Sequence, residues 1–126
     1  MSQRRVLLID DEDDIRSITA IALGQVGGWE VKAAPDGAAG IAIAEDWRPD
    51  AILLDAMMPG MDGLATLKAL RERPATDTIP VLFLTASVQR LERQILLDAG
   101  AAGVLAKPFD PMTLHRLVAQ ALGWSA

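Results

Sequence analysis

Short runs of consecutive apolar residues alternate along the chain with longer segments of helical period. Four runs are apolar at every position, which is typical of parallel strands covered on both faces. They lie at 6–9, 51–54, 81–84 and 104–106. A fifth segment, from Trp29 to Ala33, alternates apolar and charged residues and therefore predicts an edge strand with one solvent-exposed face.

The segments between these runs predict helices at about 13–26, 37–46, 63–73, 89–99 and 111–122. The last of them predicts one buried stripe formed by Leu114, Leu117, Val118, Ala121 and Leu122. Glycines and prolines fall at the predicted boundaries. Five βα units with right-handed crossovers predict a single α/β domain over residues 1–126, with helices flanking a five-stranded parallel sheet.

Composition narrows the class of protein. The 126 residues are 51% hydrophobic and 23% charged, which is typical of a folded domain. The lack of cysteine excludes disulfides, thiolate metal sites and a cysteine nucleophile. Because the apolar runs are short and no secretory signal is evident, we expect a cytoplasmic protein that does not contact membranes. A net charge of −5 argues against direct binding of nucleic acid, so the expected partners are proteins and cations.

Polar side chains follow four of the five predicted strands. Asp10 and Asp11 follow the first strand, Asp55 the third, Thr85 the fourth and Lys107 the fifth. In an open parallel sheet the ligand site lies beyond the carboxyl ends of the strands. The sequence therefore predicts that three carboxylates, one hydroxyl and one ammonium meet at one edge of the sheet.

Clustered carboxylates need a counter-charge, and ligation by oxygen alone favours Mg²⁺, with Mn²⁺ as a possible substitute. With part of the charge neutralised, Asp55 is able to attack a phosphoryl group and form an aspartyl phosphate. Lys107 and the Thr85 hydroxyl are expected to hold the phosphoryl oxygens.

Four motifs occur in order, each after a predicted strand. They are IDDE at 9–12, DAMMPGMDG at 55–63, LTA at 84–86 and AKPF at 106–109. From 6 to 122 the chain thereby resembles the receiver domains of two-component response regulators, in particular single-domain chemotaxis regulators. The resemblance implies a doubly wound, flavodoxin-like fold with strand order 2-1-3-4-5.

The resemblance also implies site roles. Asp55 would accept phosphate from the phosphohistidine of a kinase or phosphotransfer protein, in a regulator that assists its own phosphorylation but is not a turnover enzyme. Asp10, Asp11, Asp55 and the main-chain carbonyl of Met57 would bind Mg²⁺. Thr85, Ala86 and Lys107 would sense the phosphoryl group, and the Lys107-Pro108 bond would be cis.

One position departs from the family pattern. Three residues before Lys107, where the family often has Tyr or Phe that swings inward on activation, this chain has Val104. We expect the loop at Ala86-Ser87, rather than an aromatic ring, to reshape the face formed by 89–99, 102–106 and 111–122. A protein effector is expected at that face.

Three other functions compete with this interpretation. A phosphohydrolase of the haloacid dehalogenase type needs an Asp-x-Asp nucleophile pattern after the first strand, which Asp10 to Asp13 does not supply. Flavin mononucleotide binding needs a phosphate loop rich in Ser, Thr and Gly, whereas the loop here is anionic. A degenerate receiver that acts only as a docking module usually lacks one of the acids or the lysine, and all are present here.

Several remaining residues have simpler structural interpretations. Asp62-Gly63 is expected to be a turn and helix cap rather than a calcium loop. His115 is expected to be a solvated helix residue and not a phosphocarrier. The other residues in this group are interpreted as packing residues: Met57, Met58, Met61, Trp29, Trp47 and Trp124.

Overall fold

The fold is seen in a computed structural model that describes residues 3–58, 60–86 and 89–124. The strands are β1 (Arg5–Ile9), β2 (Glu30–Ala34), β3 (Ala51–Asp55), β4 (Val81–Thr85) and β5 (Gly103–Ala106). The helices are α1 (Asp13–Ile21), α2 (Gly37–Trp47), α3 (Gly63–Arg71), α4 (Arg90–Asp98) and α5 (Leu114–Leu122). A short π-helix (Ala22–Val26) follows α1 directly.

The strands form one parallel sheet in the order β2-β1-β3-β4-β5, which confirms the predicted doubly wound topology. β1, β3 and β4 lie inside the sheet, and β3 and β4 are buried at every position. β2 lies at one edge and is mostly exposed, as its alternating sequence predicts. The carboxyl ends of β1, β3 and β4 consequently lie side by side.

Two hydrophobic cores cover the faces of the sheet. Because side chains alternate along a strand, Leu7 and Ile9 face one core while Val6 and Leu8 face the other. The first core also contains buried residues of α2, α3 and α4, and the second contains residues of the π-helix and α5. The apolar strand sequences are explained by this burial on both sides.

The predicted helix over 13–26 is divided in the structure. It is α-helical to Ile21 and then widens to a π-helix, in which the Gly27 N–H donates to the Ala22 carbonyl at 3.1 Å. Glycine is needed at 27, because a Cβ there would lie 2.6 Å from the Leu23 carbonyl and 2.8 Å from the His115 Cβ. A 3.6-residue period does not reveal this change of hydrogen-bond spacing.

The prediction for the final helix was partly wrong. Leu114 and Val118 are buried, but Leu117 is 43% exposed and Ala121 is also exposed. The buried face is rotated toward His115, whose ring lies edge-on to Trp29 with centroids 6.4 Å apart. His115 is therefore half-buried rather than solvated.

The predicted packing role of the tryptophans agrees with the structure. Trp47 is buried in the first core, and Trp29 and Trp124 pack against the second. Within the described residues, none of the helices combines the length and apolar character needed to cross a bilayer.

Candidate functional site

The site lies where β1, β3, β4 and β5 end. Asp10 follows β1 and is fully buried, while Asp55 and Thr85 are the buried last residues of β3 and β4. Lys107 follows β5, and its main-chain N–H donates to the Thr85 carbonyl at 2.8 Å. The sheet order therefore brings together residues that are up to 97 positions apart in the sequence.

Lys107 contacts two of the carboxylates. Its Nζ lies 3.0 Å from Asp10 Oδ2 and 3.4 Å from Asp55 Oδ1, and its side chain is only 12% exposed. The following Lys107-Pro108 peptide is cis, as the resemblance implied. The ammonium thus bridges the ends of β1 and β3.

Asp10, Asp11 and Asp55 form an acidic cluster. One carboxylate oxygen of each lies within 4.8 Å of the others, and this is the only such group among the described residues. Asp11 Oδ1 is buried and has no hydrogen-bond partner in the described part of the chain. A buried carboxylate oxygen without a donor, beside two more carboxylates, fits a hard divalent cation such as Mg²⁺.

The electrostatics of Asp55 reflect this crowding. Burial raises the pKa of Asp55 from 3.8 to about 6; the N–H of Met57 and the charge of Lys107 oppose the rise, and the neighbouring aspartates add to it. Burial alone would lower the pKa of Lys107, but its hydrogen bonds and charge interactions with Asp10 and Asp55 raise it. The ammonium therefore stays charged, and further positive charge beside Asp55 would lower the pKa of its carboxyl again.

Residues at both ends of the segment between β3 and α3 lie close to Asp55. The Met57 N–H donates to Asp55 Oδ1 at 3.2 Å, although the Met57 residue is 76% exposed. A Cβ at Gly63 would lie 2.8 Å from both the Asp55 carbonyl and the Ala56 Cα, so only glycine fits there. Asp62 caps α3 by accepting from the Ala65 N–H at 2.9 Å, which confirms the predicted cap.

The remaining predicted residues lie toward β5 and α4. Ala86 follows Thr85 and is exposed, whereas Val104 is 5% exposed, pairs with Phe83 in the sheet and belongs to the first core. An open groove of about 860 Å³ runs from Thr85 toward α4, where Leu96 lines it. Ser87, the second residue of the predicted switch loop, lies outside the described residues.

Sequence reasoning missed two residues that shape the site. Gly63 carries no polar group, and its role depends on a close approach of backbone that only the folded loop creates. Arg16 donates to the Asp10 carbonyl at 2.8 Å. Its i,i+3 spacing from Asp13 predicts an ion pair, but no sequence pattern predicts the contact with a carbonyl before the helix.

Comparisons with known proteins agree with this arrangement. A family model for the response regulator receiver domain matches residues 6–119. The transcriptional regulatory protein CseB of Streptomyces coelicolor is 38% identical over 112 residues, which make up 89% of this chain and 46% of that protein. A 14.6 kDa protein from the sodA1 3' region of Leptolyngbya boryana is 34% identical over 120 residues, covering 95% of this chain and 91% of that one.

Among solved structures, the chemotaxis response regulator CheY4 of Vibrio cholerae matches with a TM-score of 0.88 and 35% identity, covering 95% of this chain and 99% of that one. The chain spans about half the length of the CseB regulator it matches, but nearly all of the chemotaxis protein. The family match runs through all four motifs and both outer strands. The chain therefore belongs to the response regulator receiver domains of two-component signalling systems.

Proposed function

We propose that this receiver domain accepts a phosphoryl group on Asp55 from the phosphohistidine of a histidine kinase or phosphotransfer protein. One observation carries the proposal: the buried Asp55 carboxylate lies 3.4 Å from the Lys107 ammonium and within 4.8 Å of two further carboxylates. Of the three acidic residues, Asp55 is the one at the end of the central strand β3.

In the proposed transfer, an Asp55 carboxylate oxygen forms the new P–O bond. The P–N bond to the donor histidine breaks, and its electron pair leaves with the imidazole. Lys107, Thr85 and Ala86 hold the oxygens of the transferred group, which balances charge that the transition state spreads over them. When bound, Mg²⁺, or Mn²⁺ in its place, supplies the positive charge that favours ionised Asp55 and offsets the phosphoryl charge.

Asp10, Asp11, Asp55 and the Met57 carbonyl are the groups proposed to hold the cation. The donor set supports this role because it consists of oxygens and includes Asp11 Oδ1, which is buried and has no hydrogen-bond partner among the described residues. The protein is proposed to promote its own phosphorylation and dephosphorylation without turnover of an external substrate, and to do so in the cytoplasm. Since the proposed output is a protein contact, neither nucleic acid nor membrane is needed as a direct partner.

The phosphorylated state is proposed to act through the face formed by α4, β5 and α5. That face already carries exposed apolar side chains, among them Leu91, Ile95 and Leu117. Thr85 and Ala86 lie at the end of β4, and both line the groove that Ile95 and Leu96 of α4 also line. A shift of Thr85 and Ala86 toward the phosphoryl group would change the surface that a protein effector contacts.

The proposal is tested by incubation with acetyl phosphate and Mg²⁺, followed by intact mass spectrometry. We expect one phosphoryl increment that is labile in base, and its loss in Asp55→Asn. Asp46→Asn is the matched control, because Asp46 is an exposed residue of α2 that lies outside the four motifs. Full labelling of Asp55→Asn, or none of the unaltered protein, would contradict the assignment.

A further inference from the structure

Arg16, in the first turns of α1, joins that helix to the end of β1. Its Nη1 donates to the main-chain carbonyl of Asp10 at 2.8 Å, and its Nη2 pairs with the Asp13 carboxylate. The Arg16 side chain is only 22% exposed, whereas that of Asp13 is 85% exposed. The contact with Asp10 is thus the more sheltered of the two.

The Asp10 carbonyl belongs to the link between strand and helix. Asp10 follows the last residue of β1 and precedes the first turn of α1, and the residue is fully buried. A buried carbonyl in such a link needs a donor from elsewhere. Arg16 supplies a charged donor, which makes a stronger hydrogen bond than a neutral one.

Both neighbours of Asp11 are fixed by hydrogen bonds. On one side, the Asp10 N–H donates to the Ala34 carbonyl at 3.1 Å while Arg16 holds the Asp10 carbonyl. On the other, the Glu12 N–H donates to Asp10 Oδ1 at 2.9 Å. Asp11 itself has a buried Oδ1 with no hydrogen-bond partner in the described residues, so its place in the acidic cluster depends on the backbone on either side.

We propose that Arg16 is a positioning residue of the cation site: by holding the Asp10 carbonyl, it fixes the turn that keeps the Asp11 carboxylate beside Asp10 and Asp55. This inference rests on the proposed function, since it assigns a residue that supports the same site. Arg16 itself need not touch the cation.

A positioning role and a purely electrostatic role of Arg16 predict opposite changes in Mg²⁺ affinity when Arg16 is removed. Arg16 is a positive charge near a cation site, so if only its charge mattered, its removal would strengthen Mg²⁺ binding. If it positions Asp11, its removal weakens binding, because partners behind metal ligands commonly contribute roughly tenfold or more to affinity. The sign of the change therefore separates the two roles.

The experiment measures the Kd for Mg²⁺ by isothermal titration calorimetry in the unmodified protein, Arg16→Gln and Arg16→Lys. We expect the Kd to rise roughly tenfold in Arg16→Gln. The Kd of Arg16→Lys is expected to rise as well, because the lysine ammonium keeps the charge but lacks the planar guanidinium fork that reaches both acceptors. Melting curves in EDTA show whether each variant is folded. If Arg16→Gln does not fold, the Kd of Arg16→Lys tests the inference instead.

Two controls isolate the contact with Asp10. Asp13→Asn removes the exposed ion pair but leaves the Asp10 contact, so its Kd should stay within about twofold of the unmodified protein. Arg73→Gln removes a comparable surface pair with Glu45, away from the site, and should not change the Kd. In an Asp11→Asn background, Arg16→Gln should have no further effect, because the ligand that it positions is gone.

An unchanged or lower Kd in folded Arg16→Gln and Arg16→Lys would overturn the inference. A tenfold effect that persists undiminished in the Asp11→Asn background would overturn it too. If the unmodified protein itself does not bind Mg²⁺, the proposed function fails instead, so the two failures are distinguishable.

Discussion

Asp55 combines two properties that are in conflict in a buried site. A nucleophilic carboxylate has to be ionised, yet burial and the neighbouring aspartates favour its protonated form and raise its pKa to about 6. Lys107 offsets part of the negative charge through contacts with Asp10 and Asp55. One ammonium against three carboxylates leaves the site short of positive charge, which is the condition that favours binding of a divalent cation.

The raised pKa of Asp55 predicts how stability depends on pH without metal. Between 3.8, the ordinary value, and about 6, the folded protein holds a proton that the unfolded chain has lost. This contribution is fully present below the unfolded pKa and is lost as pH rises through the folded pKa. In EDTA, the melting temperature of the unmodified protein should therefore fall relative to that of Asp55→Asn between about pH 4 and pH 7.

The measurement is a pair of thermal melts across that pH range, with Asp55→Asn as the control because its amide does not titrate. A melting temperature of the unmodified protein that rose relative to the variant would contradict the shift. Excess Mg²⁺ should reverse the trend at pH 7, since a ligand that binds only the folded state stabilises it by mass action.

At the scale of helices and strands, the sequence predicted the elements that depend on local pattern. The fully apolar runs gave β1, β3 and β4 because those strands are covered on both faces. The change to a π-helix at Ala22 and the rotation of α5 were missed. Gly27, directly after the π-helix, lies close to His115 of α5, and such contacts between distant segments are not encoded in a local period.

The caps of α1 and α3 differ in a way that stability measurements can detect. Asp62 accepts a hydrogen bond from the Ala65 N–H, whereas Glu12, at the same position of α1, makes no side-chain cap bond. Asp62→Ala should lower the free energy of unfolding by about 1 kcal/mol, the usual cost of a lost N-cap. Urea denaturation checks this, and Glu12→Ala is the matched control, expected to change stability by less than about 0.5 kcal/mol. Equal losses in the two variants would show that the Asp62 hydrogen bond does not stabilise α3.

At the scale of the whole molecule, the order of the strands brings residues that are distant in the sequence together into one site. The convergence of Asp10, Asp55 and Lys107 could be predicted from the sequence because each follows a strand and parallel strands end at one edge. Two features could not be predicted because they depend on side-chain distances in the folded structure. They are the contact of Lys107 with both aspartates and the buried Asp11 Oδ1, for which the described part of the chain offers no hydrogen-bond partner.

The proposed switch also involves the whole molecule, because it links the phosphorylation site to a distant face. In this chain Val104 stands where the family often has a mobile Tyr or Phe. Val104 is buried beside Phe83, and a β-branched side chain is stiff at χ1, so it cannot move between buried and exposed positions as Tyr or Phe can. With less side chain to relocate, the difference in free energy between the resting and activated conformations is expected to be small, and the activated face to be partly populated without phosphate.

Amide chemical shifts, measured with and without beryllofluoride in the presence of Mg²⁺, test this switch. We expect large changes at Ala86 and across the face formed by α4, β5 and α5, because the loop after β4 is the proposed link between Asp55 and that face. Asp55→Asn with the same additions is the control and should show none of them. Shifts confined to the acidic cluster and Lys107 would show that the domain binds the phosphoryl analogue without this conformational change.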